Sequence, residues 1–270
     1  MKLFRFLNPL IALLLALGGI FGIGAPAPVQ AATTLAAGDI AIVGFIADDP
    51  DEFAFVLLVD VTSGTTINFT DNGWLAAGGF RTGEGTTTWT ASTDISAGTV
   101  INQPVGTMLF STAGDQILAY QGDSASPTFI YAINNDGAGV WQADATSSNT
   151  SALPTGLVNG TSAVALNELD NYAYTGPTSG TREELLAAIS NPANWTGDDS
   201  SRPAFPTPFT VGAPVDNPPQ VSATIPADGA ANVSLSADLS VTFSEAVTAV
   251  LPWYTLTCGT QTISTTVSGS

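Results

Sequence analysis

The chain has 270 residues, of which 23 are acidic and five are basic, so its formal net charge is -18 at neutral pH. A surface this acidic repels phosphate backbones, which argues against nucleic acid as a ligand. The sequence contains no histidine and one cysteine, which removes the commonest general base and the usual zinc ligand sets. With 44% hydrophobic residues, the chain has enough apolar material to form a folded core.

Residues 1–31 have the layout of a secretory signal peptide. Lys2 and Arg5 precede an apolar run from Leu10 to Ile23, and small residues follow in the sequence APAPVQA. The run is shorter than the ~20 residues that a membrane-spanning helix needs. We therefore expect cleavage near Ala31, no membrane span after cleavage, and a secreted or cell-surface location.

The segment 35–212 shows the pattern of one β-rich domain. Two near-continuous apolar runs, DIAIVGFI and FAFVLLVDV, predict strands that are buried on both faces or lie in a sandwich core. Further strand-like segments follow at short intervals, each bounded by turn-forming residues: TTINFTD, TTTWTA, TMLFS, QILAYQG, TFIYAI and SAVALNE. Short strands at this spacing are typical of sandwiches and barrels, so we predict an all-β, β-sandwich-like domain.

One segment, at about 181–190, predicts a short helix. In TREELLAAIS, Thr181 and Glu184 have the spacing of a capping box, in which each side chain bonds the other residue's backbone amide. Leu185, Leu186 and Ile189 then recur at helical spacing. We expect this apolar stripe to pack over one end or edge of the sheet.

A proline-rich stretch from Pro203 to Pro219 predicts a domain boundary, because proline lacks the amide hydrogen that a sheet ladder needs. We place an extended linker at 213–219, and the FTV sequence before it could form the last strand of the first domain. Residues 220–270 then alternate apolar and polar side chains, as in two-layer β structure. An Ig-like sandwich takes about 100 residues, so this segment predicts an incomplete one.

The second segment contains a Pro-x-x-Gly turn, an Asn-Val pair and a strand ending in Phe-Ser-Glu-x-Val. The residues are Pro226, Gly229, Asn232, Val233, Phe243, Ser244, Glu245 and Val247. Over residues 218–270 this pattern resembles the SbsA-type Ig-like domain of bacterial S-layer and other secreted proteins. The resemblance implies an Ig-like spacer or presentation module, and it does not imply catalysis.

The first domain opens with a Gly-Asp strand, then a second apolar strand, then a polar turn that leads to Gly73-Trp74. This opening resembles the N-terminal β domain of large secreted bacterial surface proteins or nucleases, and more distantly the lamin-tail sandwich. Some proteins of that architecture carry a nuclease or phosphatase domain further on. The resemblance therefore implies an accessory role beside a hydrolase as one alternative.

Three clusters of acidic and amide residues could supply the hard oxygen ligands that calcium prefers. The preferred candidate is the DDPDE stretch, because its four carboxylates repel one another unless solvent or a cation separates them: Asp48, Asp49, Asp51 and Glu52. The other two are Asp71-Asn72 and the segment 134–136. Asp and Asn are also common turn formers, so turn chemistry is the alternative for each cluster.

Four tryptophans are compatible with stacking on sugar rings, although tryptophan more often packs in a core or at its edge. They are Trp74, Trp89, Trp141 and Trp195. Glycine-rich turns flank Trp74 and Trp141, so we expect these two to be the least buried.

The single cysteine, Cys258, lies in the sequence WYTLTC. The period of two places it on one strand face with Tyr254 and Leu256. An odd cysteine in an exported chain favours a disulfide, so we expect a partner outside this chain. A buried free thiol is the alternative.

Together these patterns favour a non-catalytic extracellular or cell-surface module for display, adhesion or spacing, at the N-terminus of a larger secreted protein. They predict no cofactor other than possible calcium, and cell-wall or glycan components as possible partners. Two alternatives stay open. One is the N-terminal accessory region of a secreted nuclease or phosphatase, and the other is a calcium-dependent glycan-binding module.

Overall fold

The computed structural model describes residues 30–213, 218–234, 236–248, 254–258 and 260–263. All but the last two residues of the predicted signal peptide lie outside these ranges, so that prediction stays open. The chain divides into two compact units, with the boundary between Ala213 and Pro214. Within the described ranges, no helix has the length and apolarity needed to cross a membrane.

The first unit contains two five-stranded sheets and a small parallel pair. Its strands are β1 (Ile40–Ile46), β2 (Glu52–Leu57), β3 (Thr66–Thr70), β4 (Thr86–Thr90), β5 (Val100–Gln103), β6 (Gln116–Gln121), β7 (Thr128–Asn134), β8 (Ala163–Ala165), β9 (Asn171–Tyr174), β10 (Ser179–Thr181), β11 (Trp195–Asp198) and β12 (Thr210–Gly212). One sheet has the order β11-β9-β1-β2-β5 and the other has the order β4-β3-β6-β7-β8. Strands β10 and β12 form the parallel pair.

The core lies between the two sheets, where aromatic side chains from both sheets meet. The ring of Phe69 on β3 lies 5.0 Å from that of Phe53 and 4.9 Å from that of Phe55, both on β2. Phe55 also meets Trp89 of β4 at 5.4 Å. Every residue of β1 is buried, and so is β2 after its first residue. The predicted all-β, sandwich-like fold and its two doubly buried strands are therefore confirmed.

The predicted helix is confirmed as α1 (Arg182–Ile189), which a short 3₁₀ turn (Pro192–Asn194) follows. The Glu184 amide donates to Thr181 Oγ1 at 3.2 Å, and the Thr181 amide donates to Glu184 Oε2 at 2.9 Å. This reciprocal pair is the capping box that the sequence predicts. Its apolar stripe is buried, as expected: Leu185, Leu186 and Ile189.

One strand prediction is wrong. The TMLFS segment, residues 107–111, forms an irregular loop in which the Leu109 side chain is 79% exposed. Three of its amides bond carboxylates instead of a neighbouring strand, so the segment has no ladder to join. The sequence patterns also missed β5, β9, β10 and β11, which are only three or four residues long.

The second unit contains two antiparallel strand pairs among its described residues. Strand β13 (Val221–Ile225) pairs with β14 (Ser240–Phe243), and β15 (Leu256–Cys258) pairs with β16 (Gln261–Ile263). Gly229 and Asn232, both in the motif that the sequence singled out, have positive φ angles of 74° and 57° in the β13–β14 connection. The Cys258 side chain lies outside what the structure describes, so its predicted disulfide stays a prediction.

Candidate functional site

Three consecutive backbone amides in the 107–111 loop each hold a different carboxylate. The Leu109 amide donates to Asp71 Oδ2 at 2.9 Å and the Phe110 amide to Asp51 Oδ2 at 2.7 Å. The Ser111 amide donates to Asp115 Oδ2 at 2.9 Å. One short loop therefore gathers three acids that are distant in sequence.

The three acids meet because each lies at a strand terminus. Asp51 immediately precedes β2 of one sheet, while Asp71 follows β3 and Asp115 precedes β6 of the other. Glu84 approaches from the loop before β4, where its amide donates to Asn72 Oδ1 at 3.1 Å. We call these four residues the acidic cluster: Asp51, Asp71, Glu84 and Asp115.

The two central acids are almost completely buried: Asp71 is 1% exposed and Asp115 is 2% exposed. Burial raises the pKa of Asp115 to about 8, because a carboxylate loses its hydration there. Bonds from the Ser111 and Gln116 amides lower this pKa, and the charges of Asp71 and Glu84 raise it further. At neutral pH the protein itself therefore favours a proton on Asp115.

The other three acids shift in the same direction. Burial is the largest cause of the raised pKa of Asp71, and it is also the largest cause at Glu84 and at Asp51. Arg81 partly offsets the rise at Glu84, and Arg202 does so at Asp51. The four carboxylates therefore oppose one another's ionisation.

Gln116 places its amide group among these acids. Its Nε2 donates to Asp115 Oδ1 at 3.0 Å, to the Ser148 carbonyl at 2.8 Å and to the Asp71 carbonyl. Its Oε1 accepts no hydrogen bond, and among the described residues it is the one buried side-chain nitrogen or oxygen atom without a partner. Such an atom usually indicates an unseen ligand or water, because an unmet buried acceptor costs free energy.

The structure separates the four residues of the predicted calcium site. Only Asp51 joins the acidic cluster. Asp48 Oδ2 accepts from Asn171 Nδ2 at 2.6 Å, and Glu52 Oε1 pairs with Arg202 at 2.9 Å. Asp49 acts on its neighbour by raising the pKa of Asp51. Calcium binding by this set stays a prediction, and Asp48 and Glu52 have protein partners.

The other two predicted clusters lie beside the acidic cluster. Asp71 belongs to it, and Asn72 Nδ2 donates to the Gly85 carbonyl at 3.0 Å, which holds the 71–72 turn against the 84–85 turn. Asn135 Oδ1 accepts from the Asp115 amide at 2.8 Å. Asn134 Oδ1 accepts from the Asp136 amide at 2.9 Å, which is the local turn bond that the alternative interpretation expects.

Sequence reasoning missed Asp115 and Gln116. In the stretch GDQ an aspartate after a glycine is typical of an ordinary turn, and a glutamine at the start of a strand carries no functional signal. The one hint in the sequence is that a polar residue, Gln116, stands directly before the apolar residues of the strand QILAYQ.

A second group of acids lies at the surface. The carboxylate oxygens of Glu168, Asp170 and Asp199 lie within 4.8 Å of one another, and among the described residues this is the one such trio of potential metal ligands. Burial, Asp48 and Asp199 together raise the pKa of Asp170. We call these three residues the surface triad.

The tryptophans mostly pack in cores. Trp89 and Trp195 are buried, as expected, and so is Trp74, against expectation. Trp74 packs against Phe129 with ring centroids 4.8 Å apart. Trp141 is half-buried, and its Nε1 donates to Asn159 Oδ1 at 3.1 Å. A sugar-stacking role is therefore restricted to Trp141 among these four.

Comparison with known proteins finds a similarity for the second unit. A family model described as a bacterial Ig-like domain matches residues 215–270, just over a fifth of the chain. The match agrees with the Ig-like resemblance of this segment, and it does not distinguish the SbsA type. Searches of curated proteins and of solved structures found no match for the chain.

Proposed function

We propose that the chain is a non-catalytic module, displayed outside the bacterial cell, that serves spacing, adhesion or presentation within a larger secreted protein. The match of residues 215–270 to bacterial Ig-like domains carries this proposal. Such domains are typically found in extracellular or surface proteins, and they are typically non-catalytic. The finer SbsA-type assignment, and the resemblance of the first unit to the N-terminal domains of secreted proteins, belong to the same proposal.

Composition supports an extracellular role. A formal charge of -18 keeps a surface solvated and discourages contact with phosphate backbones. The opening of the sequence, with its basic residues, apolar run and small residues, supports export. A rigid two-sheet unit before an Ig-like segment suits a spacer that holds other parts away from a cell surface.

The arrangement of the buried acids supports a structural rather than a hydrolytic role. In a carboxylate-pair hydrolase both acids must reach the substrate. Here both oxygens of Asp71 and of Asp115 accept backbone amides, from Gly85 and Leu109 and from Gln116 and Ser111 respectively. Groups that are bonded on both oxygens and buried are poorly placed for attack on a polymer.

Surface labelling tests the proposed location. Intact cells of the source bacterium are treated with a non-permeant protease, and the chain is followed with an antiserum. We expect the protein to be degraded on intact cells or recovered from the medium. Recovery of intact protein only after lysis, in the cytoplasmic fraction, contradicts the proposal.

Activity assays on the purified full chain separate the alternatives. We expect no turnover of phosphodiester, phosphomonoester or glycoside substrates. Turnover that tracks the chain through purification contradicts the non-catalytic role.

A glycan panel with and without chelator tests the alternative of a calcium-dependent glycan-binding module. Calcium-dependent binding that a Trp141→Ala variant loses would support that module instead.

A further inference from the structure

We propose that the acidic cluster and Gln116 form a binding site for a divalent cation, and that the chemistry of the ligands selects calcium. The site differs from the DDPDE stretch, with which it shares only Asp51. Its central ligands are Asp71, Asp115 and the Oε1 atom of Gln116.

The first argument is proximity. Adjacent backbone nitrogens lie closer together than the 3.8 Å between adjacent Cα atoms, and the Leu109, Phe110 and Ser111 amides are consecutive. Each bonds a carboxylate oxygen at 2.7 to 2.9 Å. The bonded oxygens of neighbouring acids in this series therefore lie within about 9 Å of each other. Binding of one ion by two of these acids would require their side chains to turn toward each other.

The second argument is the unmet acceptor. Gln116 is fully buried, and its Nε2 is fixed by Asp115 Oδ1 and by the Ser148 and Asp71 carbonyls. Oε1 and Nε2 are attached to the same carbon, and the bond from Nε2 to Asp115 Oδ1 places this amide group next to that carboxylate. A buried amide oxygen that accepts no hydrogen bond is explained by a cation or by an ordered water, and titration with calcium distinguishes the two.

The third argument is charge. The hydrogen-bond donors to the carboxylates of Asp71 and Asp115 are neutral groups: the amides of Gly85, Leu109, Ser111 and Gln116, and Gln116 Nε2. Arg81 and Arg202 act on the outer acids, Glu84 and Asp51. Two buried carboxylates without a cationic partner are costly, and a bound cation removes that cost.

The ligand chemistry favours calcium. Carboxylate and amide oxygens are hard ligands, and calcium accepts irregular sets of six to eight of them, whereas magnesium demands a near-ideal octahedron. Strand ends and loops from two sheets supply such an irregular set. Glu84 and Asp51 are half-buried, so the acidic cluster reaches the protein surface at these two acids.

Titration of the full chain with calcium tests the proposal. The protein is stripped with chelator, and calcium binding is measured by calorimetry and by the shift in melting temperature, with magnesium as the comparison ion. We expect calcium to bind and to raise the melting temperature, and magnesium to do so more weakly. The absence of both a binding heat and a melting-temperature shift with calcium would overturn the proposal.

Four variants locate the ion. Asp71→Asn and Asp115→Asn each remove a charged ligand, and Gln116→Met removes Oε1 while keeping a side chain of similar size. We expect each to weaken calcium binding by about tenfold or more, the loss typical of disturbed ligation. Asp170→Asn, in the surface triad, is the matched control and should bind calcium as the unmodified chain does.

The control distinguishes the outcomes. Binding that survives both Asp71→Asn and Asp115→Asn but disappears in Asp170→Asn assigns the ion to the surface triad and overturns the proposal. Circular dichroism of each stripped variant establishes folding before titration. If Asp115→Asn does not fold, Asp71→Asn and Gln116→Met still decide, because unchanged binding in both contradicts the site.

Discussion

At the scale of single residues, Asp115 couples stability to pH. Its pKa is about 8 in the folded protein against an ordinary value of 3.8, so between these values the folded state holds a proton that the unfolded state has released. Stability contributed by this group is therefore complete below about pH 4 and is lost as the pH rises toward 8.

We expect the stripped protein to be less stable at pH 8 than at pH 5, by on the order of a few kcal/mol. Urea unfolding at the two pH values, in chelator, measures the difference. Asp51, Asp71 and Glu84 shift in the same direction, so each adds to the slope wherever the pH lies between its ordinary and its raised pKa. The Asp115→Asn variant should flatten the pH dependence, and an equally steep dependence in that variant would contradict the assignment.

Gly85 is a second residue on which the site depends. A Cβ atom added there would lie 2.0 Å from the Thr107 carbonyl oxygen and 2.2 Å from the Met108 nitrogen, at the start of the loop that holds the carboxylates. Backbone atoms cannot move aside as the end of a side chain can. We expect Gly85→Ala to lower the free energy of unfolding by at least ~2 kcal/mol.

Gly212→Ala is the matched control for this change, because its added Cβ meets nothing closer than 3.6 Å. Urea unfolding of both variants makes the comparison. Equal stability of the two would show that the loop does not need the close approach at Gly85.

At the scale of elements, the capping box at the start of α1 gives a local prediction. Thr181→Ala removes the acceptor for the Glu184 amide and should cost about 1 kcal/mol of stability, as N-cap losses typically do. Thermal or urea unfolding measures it. Glu183→Ala, at an exposed neighbouring position of the same turn, is the control and should change stability less.

The elements that the sequence predicted correctly are those with a strong local signal. The β1 run is apolar throughout, β2 is apolar after Glu52, and α1 has a cap and an apolar stripe within ten residues. The 107–111 segment has the composition of a strand, but its amides bond Asp71, Asp51 and Asp115, which no local pattern reveals. The short strand β9 forms because β1 offers an edge to pair with, and β11 pairs with β9 in turn, so both strands have a tertiary cause.

At the scale of the whole molecule, the candidate site could be predicted only in part. Acid-rich turns were visible as Asp51 and Asp71, but their convergence follows from which strand ends the topology brings together. Asp115 has no special sequence context, and the unmet acceptor of Gln116 exists only in the folded core. The DDPDE stretch was predicted as a calcium site from its local charge density, yet most of its acids have protein partners.

The imbalance of charge across the molecule predicts a general salt effect. With a formal net charge of -18, repulsion among acids opposes the compact state, and salt screens it. We expect the melting temperature of the stripped protein to rise between low and about 0.5 M ionic strength. Tetramethylammonium chloride should act as sodium chloride does, because it screens without coordinating; a rise with sodium alone would indicate specific ion binding instead.

The bonds made by the 109–111 amides also bear on how the protein comes apart. The Asp51–Phe110 bond closes a span of 59 residues and the Asp71–Leu109 bond one of 38, so we expect both bonds to form late in folding, after more local strand pairs. Interactions that form after the folding transition state slow unfolding and leave the folding rate almost unchanged. We therefore expect loss of these bonds to shorten the lifetime of the native state more than it changes the folding rate. In the extracellular role proposed above, that lifetime bears on resistance to proteases at least as much as equilibrium stability does.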